Sequence, residues 1–171
     1  MDDETDTSTE NMRPLAFVDI DGVLADVRHR LHFIERRPRD WDGFFAAAAG
    51  DPAHPEGIAL VETLAAGHEI VYLTGRPQRL EADTQAWLEQ RGVGGHQLVM
   101  RPEGDRRPAA VVKVQLLRRL SRGRRVAVVV DDDSDVIRAM RDAGYPTFQA
   151  TWEARREGDE LSVAQEKLGR T

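Results

Sequence analysis

Phe17-Val18-Asp19-Ile20-Asp21-Gly22-Val23-Leu24-Ala25-Asp26 decides how the chain is read, because it brings two carboxylates out of an apolar run and stops the run at a glycine. The run over 15–20 is short and bounded by turn residues, the pattern of a strand buried on both faces of a parallel sheet. Open parallel sheets bind ligands beyond the carboxyl ends of their strands, which is where Asp19 and Asp21 fall. An acid inside such a run costs several kcal/mol unless it is paired or metal-bound. A cation with a phosphate beside it would satisfy Asp19. The plainer reading is a strand followed by an Asp-Gly turn, and the rest of the chain weighs against it.

Outward from this stretch, the segment 26–57 does not look like the sheet. Leu31 and Ile34 lie at helical spacing, Pro38 interrupts, and Asp40 is placed to cap a second helix over 41–49. Gly50, Asp51, Pro52 and Pro55 end it, so a small helical insertion or cap is expected, with plain scaffold as the alternative. Beyond it a regular alternation predicts helices over 56–66, 77–90, 108–120 and 134–143, each followed by a strand, over 69–73, 97–100, 125–130 and 147–149. Gly67 and Gly92 are the expected closing residues of the first two helices. Such alternation implies an α/β fold, a parallel sheet with helices on both faces. One domain over 13–151 is expected, flanked by an acidic tail over 1–12 that is expected to be disordered and a polar helical or frayed tail over 152–171.

Composition narrows the classes. The chain has 171 residues, 40% hydrophobic and 6% aromatic, enough for one domain with a core and short for two. No stretch approaches the ~20 apolar residues of a membrane helix, and the acidic start carries no secretory pattern. Cys is absent, which excludes disulfides, thiolate catalysis and Cys-based metal sites. A cytoplasmic location without a membrane partner is the expectation. Of the net charge of −6, five acids fall in residues 1–12, and the remaining 25 acids and 24 bases leave the body nearly neutral at −1.

Two more strand ends are polar. Thr74-Gly75-Arg76-Pro77 offers a hydroxyl, an unobstructed N–H and a guanidinium, with Pro77 placed as the first residue of a helix whose N-terminus adds a positive field. An anion site and a simple capped turn both fit it. Asp131-Asp132-Asp133-Ser134-Asp135 packs four acids into five residues, which repel one another unless a cation or solvent relieves them. Oxygen-only ligands favour magnesium, and Asp133 is placed to cap the next helix. Lys113 lies among Val111, Val112, Val114, Leu116 and Leu117, and helical spacing alone reads it as a snorkelling surface residue rather than one turned toward the acids.

The order of these motifs, from carboxylate pair through Thr-Gly-Arg and Lys to the acidic cluster, resembles the haloacid dehalogenase (HAD) superfamily of phosphotransferases over about residues 14–150. The resemblance implies a Rossmann-like HAD fold and a phosphatase working through an aspartyl-phosphate. Asp19 matches the nucleophile and Asp21 the general acid/base. Thr74 matches the phosphoryl-binding residue and Lys113 the superfamily's lysine. The implied cofactor is Mg2+, held by Asp19, the backbone carbonyl of Asp21, and Asp131 with Asp132 as second ligand or water-holder. Asp at position 21 favours a phosphatase over pump-like members with Thr there. Val23 departs mildly from the Thr common at its position.

Three segments are similar to the 3′-phosphatase domain of bacteriophage polynucleotide kinase-phosphatase: His68 through Arg76, Val111-Val112-Lys113, and Val130-Asp131-Asp132. This implies phosphorylated DNA or RNA ends as partner, with Thr74, Gly75 and Arg76 binding substrate. No GxxxxGK[ST] segment accompanies it. Arg101, Arg106, Arg107, Arg118, Arg119, Arg122, Arg124 and Arg125 are dense in one region, as a phosphate-tracking surface needs, although arginine also suits helix ends. Trp41, Phe44 and Phe45 read as core before stacking platform, and the five histidines form no metal set. Phosphatases of mononucleotides or small phosphoesters remain an alternative. So does a receiver-like phosphoacceptor module, whose motifs run in a different order. Oligomeric state is left open.

Overall fold

The computed structural model describes residues 12–153, so the expectations for 1–11 and 154–171 lie outside the described residues. Five strands, β1 (Leu15–Val18), β2 (Glu69–Pro77), β3 (Gln97–Arg101), β4 (Val126–Asp131) and β5 (Thr147–Gln149), form one parallel sheet in the order β3-β2-β1-β4-β5. This is the α/β architecture that the alternation predicts.

The strand period of two distributes the core. Ala16, Val18 and Ile20 of the β1 segment join Ile70 and Tyr72 of β2 on one face. Helices α3 (Pro55–Ala65) and α4 (Glu81–Gln90) cover that face with Val61, Trp87 and Leu88. Leu15, Phe17, Val71, Leu73 and Val129 point to the other, under α5 (Ala109–Leu120) and α6 (Ser134–Asp142). Because both faces are covered, β1 is apolar throughout, β2 from Ile70 to Leu73 and β4 up to Asp131. Among the described residues no helix is long and apolar enough to cross a membrane.

Register places the polar strand ends side by side. Val18 pairs with Val130 on one flank and Tyr72 on the other, so the next residues, Asp19 and Asp131, emerge together and Thr74 lies just beyond on β2. Gly22 takes φ +77°, letting the chain turn sharply after Asp21. A Cβ on Gly57 would stand 2.0 Å from the Val23 carbonyl oxygen, so only glycine lets α3 approach the loop after β1.

Segment 26–54 folds into short helical pieces: a 3-10 turn at Arg28–Arg30, α1 (His32–Glu35), α2 (Trp41–Ala46) and a 3-10 turn at Ala47–Gly50. The α-helix expected over 41–49 thus tightens after Ala46. Asp40 caps α2, accepting from the Gly43 N–H at 2.8 Å. Val27, Ile34, Trp41, Phe44 and Phe45 give the segment an apolar cluster of its own. Its two ends are tied together, Asp26 N–H donating to the Pro52 carbonyl and His54 N–H to that of Leu24. The last described residues fold back over this junction, with Glu153 on His54 at 2.7 Å and Trp152 Nε1 donating to the Val23 carbonyl at 2.9 Å.

One boundary differs in a way that matters for the site. Pro77 is not the first residue of a helix: it stays extended at φ −69°, ψ 149°, paired with Arg101, and α4 begins at Glu81 after a 3-10 turn at Gln78–Leu80. Proline's φ suits both conformations. The expected helix N-terminal field therefore does not sit beside Thr74. Gly92 is left-handed after α4 as a closing glycine should be, whereas Gly67 is not.

Candidate active site

Asp19 and Asp131, adjacent by register, share one cation. Lys113 Nζ lies 2.8 Å from Asp19 Oδ2 and 2.7 Å from Asp131 Oδ2, and all three side chains are buried. The surface reading of Lys113 is corrected by this geometry. Ala109, Lys113 and Leu117, spaced four apart, share the buried face of α5, and the lysine offsets its burial by reaching two carboxylates at the strand ends. Burial pulls the Lys113 ammonium down, but Asp131 and Asp19 outweigh it and hold it charged. Burial pushes the Asp19 carboxyl up, Lys113 pulls it back, and Asp131 and Asp21 push again, leaving it at about 7. Asp131 is raised as well, by burial against the pull of Lys113.

Asp21 faces a different set of partners. Its Oδ1 accepts from Arg30 Nη2 at 2.9 Å and from Arg76 Nε and Nη2 at 2.9 and 2.7 Å. Both guanidiniums also hold Asp51: Arg30 donates to Oδ1 and Oδ2 at 2.8 Å, and Arg76 Nη2 to Oδ2 at 2.8 Å. Arg30, Arg76, Asp21 and Asp51 are all buried. Arg30 stacks over the Phe44 ring at 4.1 Å, which ties the insertion to the site. Burial raises the Asp21 carboxyl, yet the two guanidiniums outweigh it and hold the group well below the usual carboxylate range.

These contacts correct the expectation that Arg76 presents its guanidinium to a substrate phosphate. It is 1% exposed and committed to Asp21 and Asp51. Thr74 and Gly75 are buried beside it, and Thr74 Oγ1 accepts from the Arg76 N–H at 3.2 Å. Arg30 and Asp51 escaped the sequence reading. Arg30 stands in a basic, turn-like segment and Asp51 in Gly50-Asp51-Pro52, where an acid reads as turn chemistry. Neither position carries a local pattern for burial.

The acidic cluster divides its work. Asp133 Oδ1 caps α6, accepting from the Asp135 N–H at 2.8 Å, and Asp131 Oδ1 accepts from the Asp133 N–H at 3.0 Å. Asp19, Asp131 and Asp132 each offer a carboxylate oxygen, all within 4.8 Å of one another. The Asp21 carboxylate is not in that set. Asp19 Oδ1 is buried without a hydrogen-bond partner, as is Asp21 Oδ2. Three converging carboxylates and an unsatisfied oxygen on one of them fit a hard divalent cation such as magnesium.

The arginines dense in sequence do not form one surface. Arg101, at the carboxyl end of β3, is buried and donates to the carbonyls of Asp105 and Arg107. Arg124, just before β4 at the opposite end of the sheet, pairs with Glu69 at 2.8 Å. Arg118, Arg119 and Arg122 line a groove against α6.

Residues 14–154 match the family described as the polynucleotide kinase PNKP phosphatase domain. A protein of Autographa californica nuclear polyhedrosis virus, described as a bifunctional polynucleotide kinase/RNA ligase, is 31% identical over 133 residues, 75% of this chain and 18% of the viral protein. A chain of the Pnkp1/Rnl/Hen1 RNA repair complex superposes with a TM-score of 0.65 at 22% identity, over 86% of this chain and 44% of that one. A haloacid dehalogenase-like hydrolase from Streptococcus pneumoniae superposes with a TM-score of 0.58 at 15% identity, over 87% of this chain and 90% of the other. The two structural likenesses establish the shared fold. The chain spans less than half the length of the viral protein and of the repair-complex chain.

Proposed function

The chain belongs to the family of polynucleotide kinase-phosphatase phosphatase domains, a HAD-type phosphatase family, and from that premise we propose that it removes phosphate from polynucleotide 3′ ends through an aspartyl-phosphate, with Mg2+ as cofactor. The observation that carries the reading is Asp19 itself: a buried carboxylate with one oxygen on Lys113 and the other without a partner, facing Asp131 and Asp132. Family membership favours catalysis over the receiver-like alternative. The named relatives, a polynucleotide kinase/RNA ligase and a chain of an RNA repair complex, support RNA ends as the substrate.

In this reading Asp19, Asp131 and Asp132, with the Asp21 backbone carbonyl, hold Mg2+, which neutralises phosphoryl oxygens when bound. A carboxylate oxygen of Asp19 forms a bond to phosphorus while the bond from phosphorus to the 3′ oxygen breaks. Lys113 and the Thr74 hydroxyl steady the phosphoryl oxygens. Asp21 gives a proton to the departing oxygen, then takes one from the water that releases phosphate and regenerates the Asp19 carboxylate. Arg30 and Arg76 hold Asp21 ionised at rest, which suits the second proton transfer. For the first, Asp21 has to take up a proton from solvent before the bond to the 3′ oxygen breaks.

The test is Mg2+-dependent phosphate release from matched 3′- and 5′-phosphorylated oligonucleotides and a mononucleotide. Preference for the 3′ end is expected, with Asp19→Asn folded and inactive. Preference for the mononucleotide would move the enzyme to small phosphoesters, and turnover by folded Asp19→Asn would sink the covalent route.

A further inference from the structure

We propose that the cleft between the insertion and the loop joining β3 to α5 is a subsite for the nucleoside bearing the scissile phosphate, an inference that rests on the end-processing reading above. The cleft holds about 280 Å³ and opens where Pro77 of β2 pairs with Arg101 of β3. Pro77 lies three residues past Thr74 on the strand next to β1. Neighbouring strands are about 5 Å apart, so a substrate with its phosphate between Asp19 and Thr74 carries its sugar and base toward this opening. The volume falls at the small end of ligand pockets, near ~300 Å³. That accommodates one nucleoside and not a duplex.

The lining distinguishes a base from a phosphate chain. Trp41 and Phe45 of the insertion supply the apolar part and are still 8% and 5% exposed. The Arg79 guanidinium stands over the Phe45 ring at 5.3 Å and is tied to Glu103 at 3.3 Å and Asp42 at 3.6 Å. Counting all lining side chains, three arginines meet three carboxylates, so the cleft has no net charge with which to draw a string of phosphates. A heteroaromatic base suits it better, being neutral, flat enough to lie against an aromatic ring or a guanidinium, and edged with both donors and acceptors.

The experiment compares two matched 3′-phosphorylated oligonucleotides, one ending in an ordinary nucleotide and one in a stable abasic sugar, with the full chain, Mg2+ and steady-state kinetics. Removing the base should raise KM about tenfold for the wild type. Arg79→Ala should raise KM for the base-bearing end and leave both kinetic constants for the abasic end unchanged. That second readout also shows that the variant is folded, and Trp41→Phe should give a smaller change in the same direction. Equal KM for the two ends in the wild type, or a rise in both KM values in Arg79→Ala, would overturn the subsite while leaving the phosphatase reading intact. Hydrolysis of neither end would overturn the end-processing reading and this inference with it.

Discussion

Asp51 is the residue on which the cations around Asp21 depend. It binds both Arg30 and Arg76, and its removal leaves two buried guanidiniums with Asp21 alone between them. Breaking a buried ion pair costs about 3–5 kcal/mol. Asp51→Ala is therefore expected to lower the unfolding free energy from urea titration by an amount in that range, with kcat falling in the folded fraction because Asp21 is no longer held in place. Asp51→Asn, which keeps one acceptor oxygen, should lose less on both counts. Asp21 carries a second prediction. Its folded pKa is depressed by Arg30 and Arg76 against burial, so its contribution to stability is complete above the ordinary Asp value of about 3.9 and is lost as pH falls through the lower folded value. The thermal midpoint should fall more steeply below about pH 4 in the wild type than in Asp21→Asn; parallel curves would contradict it. Asp19 and Asp131 were legible because acids at the ends of apolar runs demand a partner. Lys113 was legible only through the order of the motifs, since helical spacing alone read it as a surface residue and its burial beside Ala109 and Leu117 comes from the packing of α5. Arg30 and Asp51 were not, because their burial is created by one another across 21 residues of chain.

Among elements, the joint between α3 and the loop after β1 is the most exacting. Gly57→Ala would bring a Cβ to 2.0 Å from the Val23 backbone oxygen, which cannot rotate away. Overpacking of this kind costs about 1–3 kcal/mol, and here it also shifts the turn that carries Asp21. The expected result is a lower denaturation midpoint together with reduced turnover, whereas a purely local defect would leave turnover unchanged. The extended course of β2 through Pro77 shows why an X-Pro pair marks a boundary poorly: proline at φ −69° suits the first turn of a helix and a strand end alike, and pairing with Arg101 decided for the strand. The insertion was recognisable by Leu31, Ile34 and the Asp40 cap. The residues that join it to the site were not, because that contact runs through Arg30 stacked on Phe44.

At the scale of the whole molecule, the fold was legible because every central strand is an apolar run closed by polar residues and followed by a helix, and only a parallel sheet covered on both faces buries all of them. The same topology gathers the chemistry. Strand order β3-β2-β1-β4-β5 puts β1 between β2 and β4, so Thr74, Asp19 and Asp131 emerge from three adjacent strands at one end of the sheet. The arginine-rich stretch left a phosphate-tracking surface and ordinary helix ends both open, and the structure separates it because α5 carries the chain from the carboxyl end of β3 back to the start of β4.

The central claim is that Asp19 receives the phosphoryl group. Acid quench during turnover of a 3′-phosphorylated oligonucleotide with Mg2+, followed by peptide mass analysis, tests it most directly. The account predicts a mass gain of one phosphoryl group on the peptide containing Asp19, absent from Asp19→Asn. Phosphate released at the wild-type rate by a folded Asp19→Asn, or a phosphoryl group found on another residue, would contradict it.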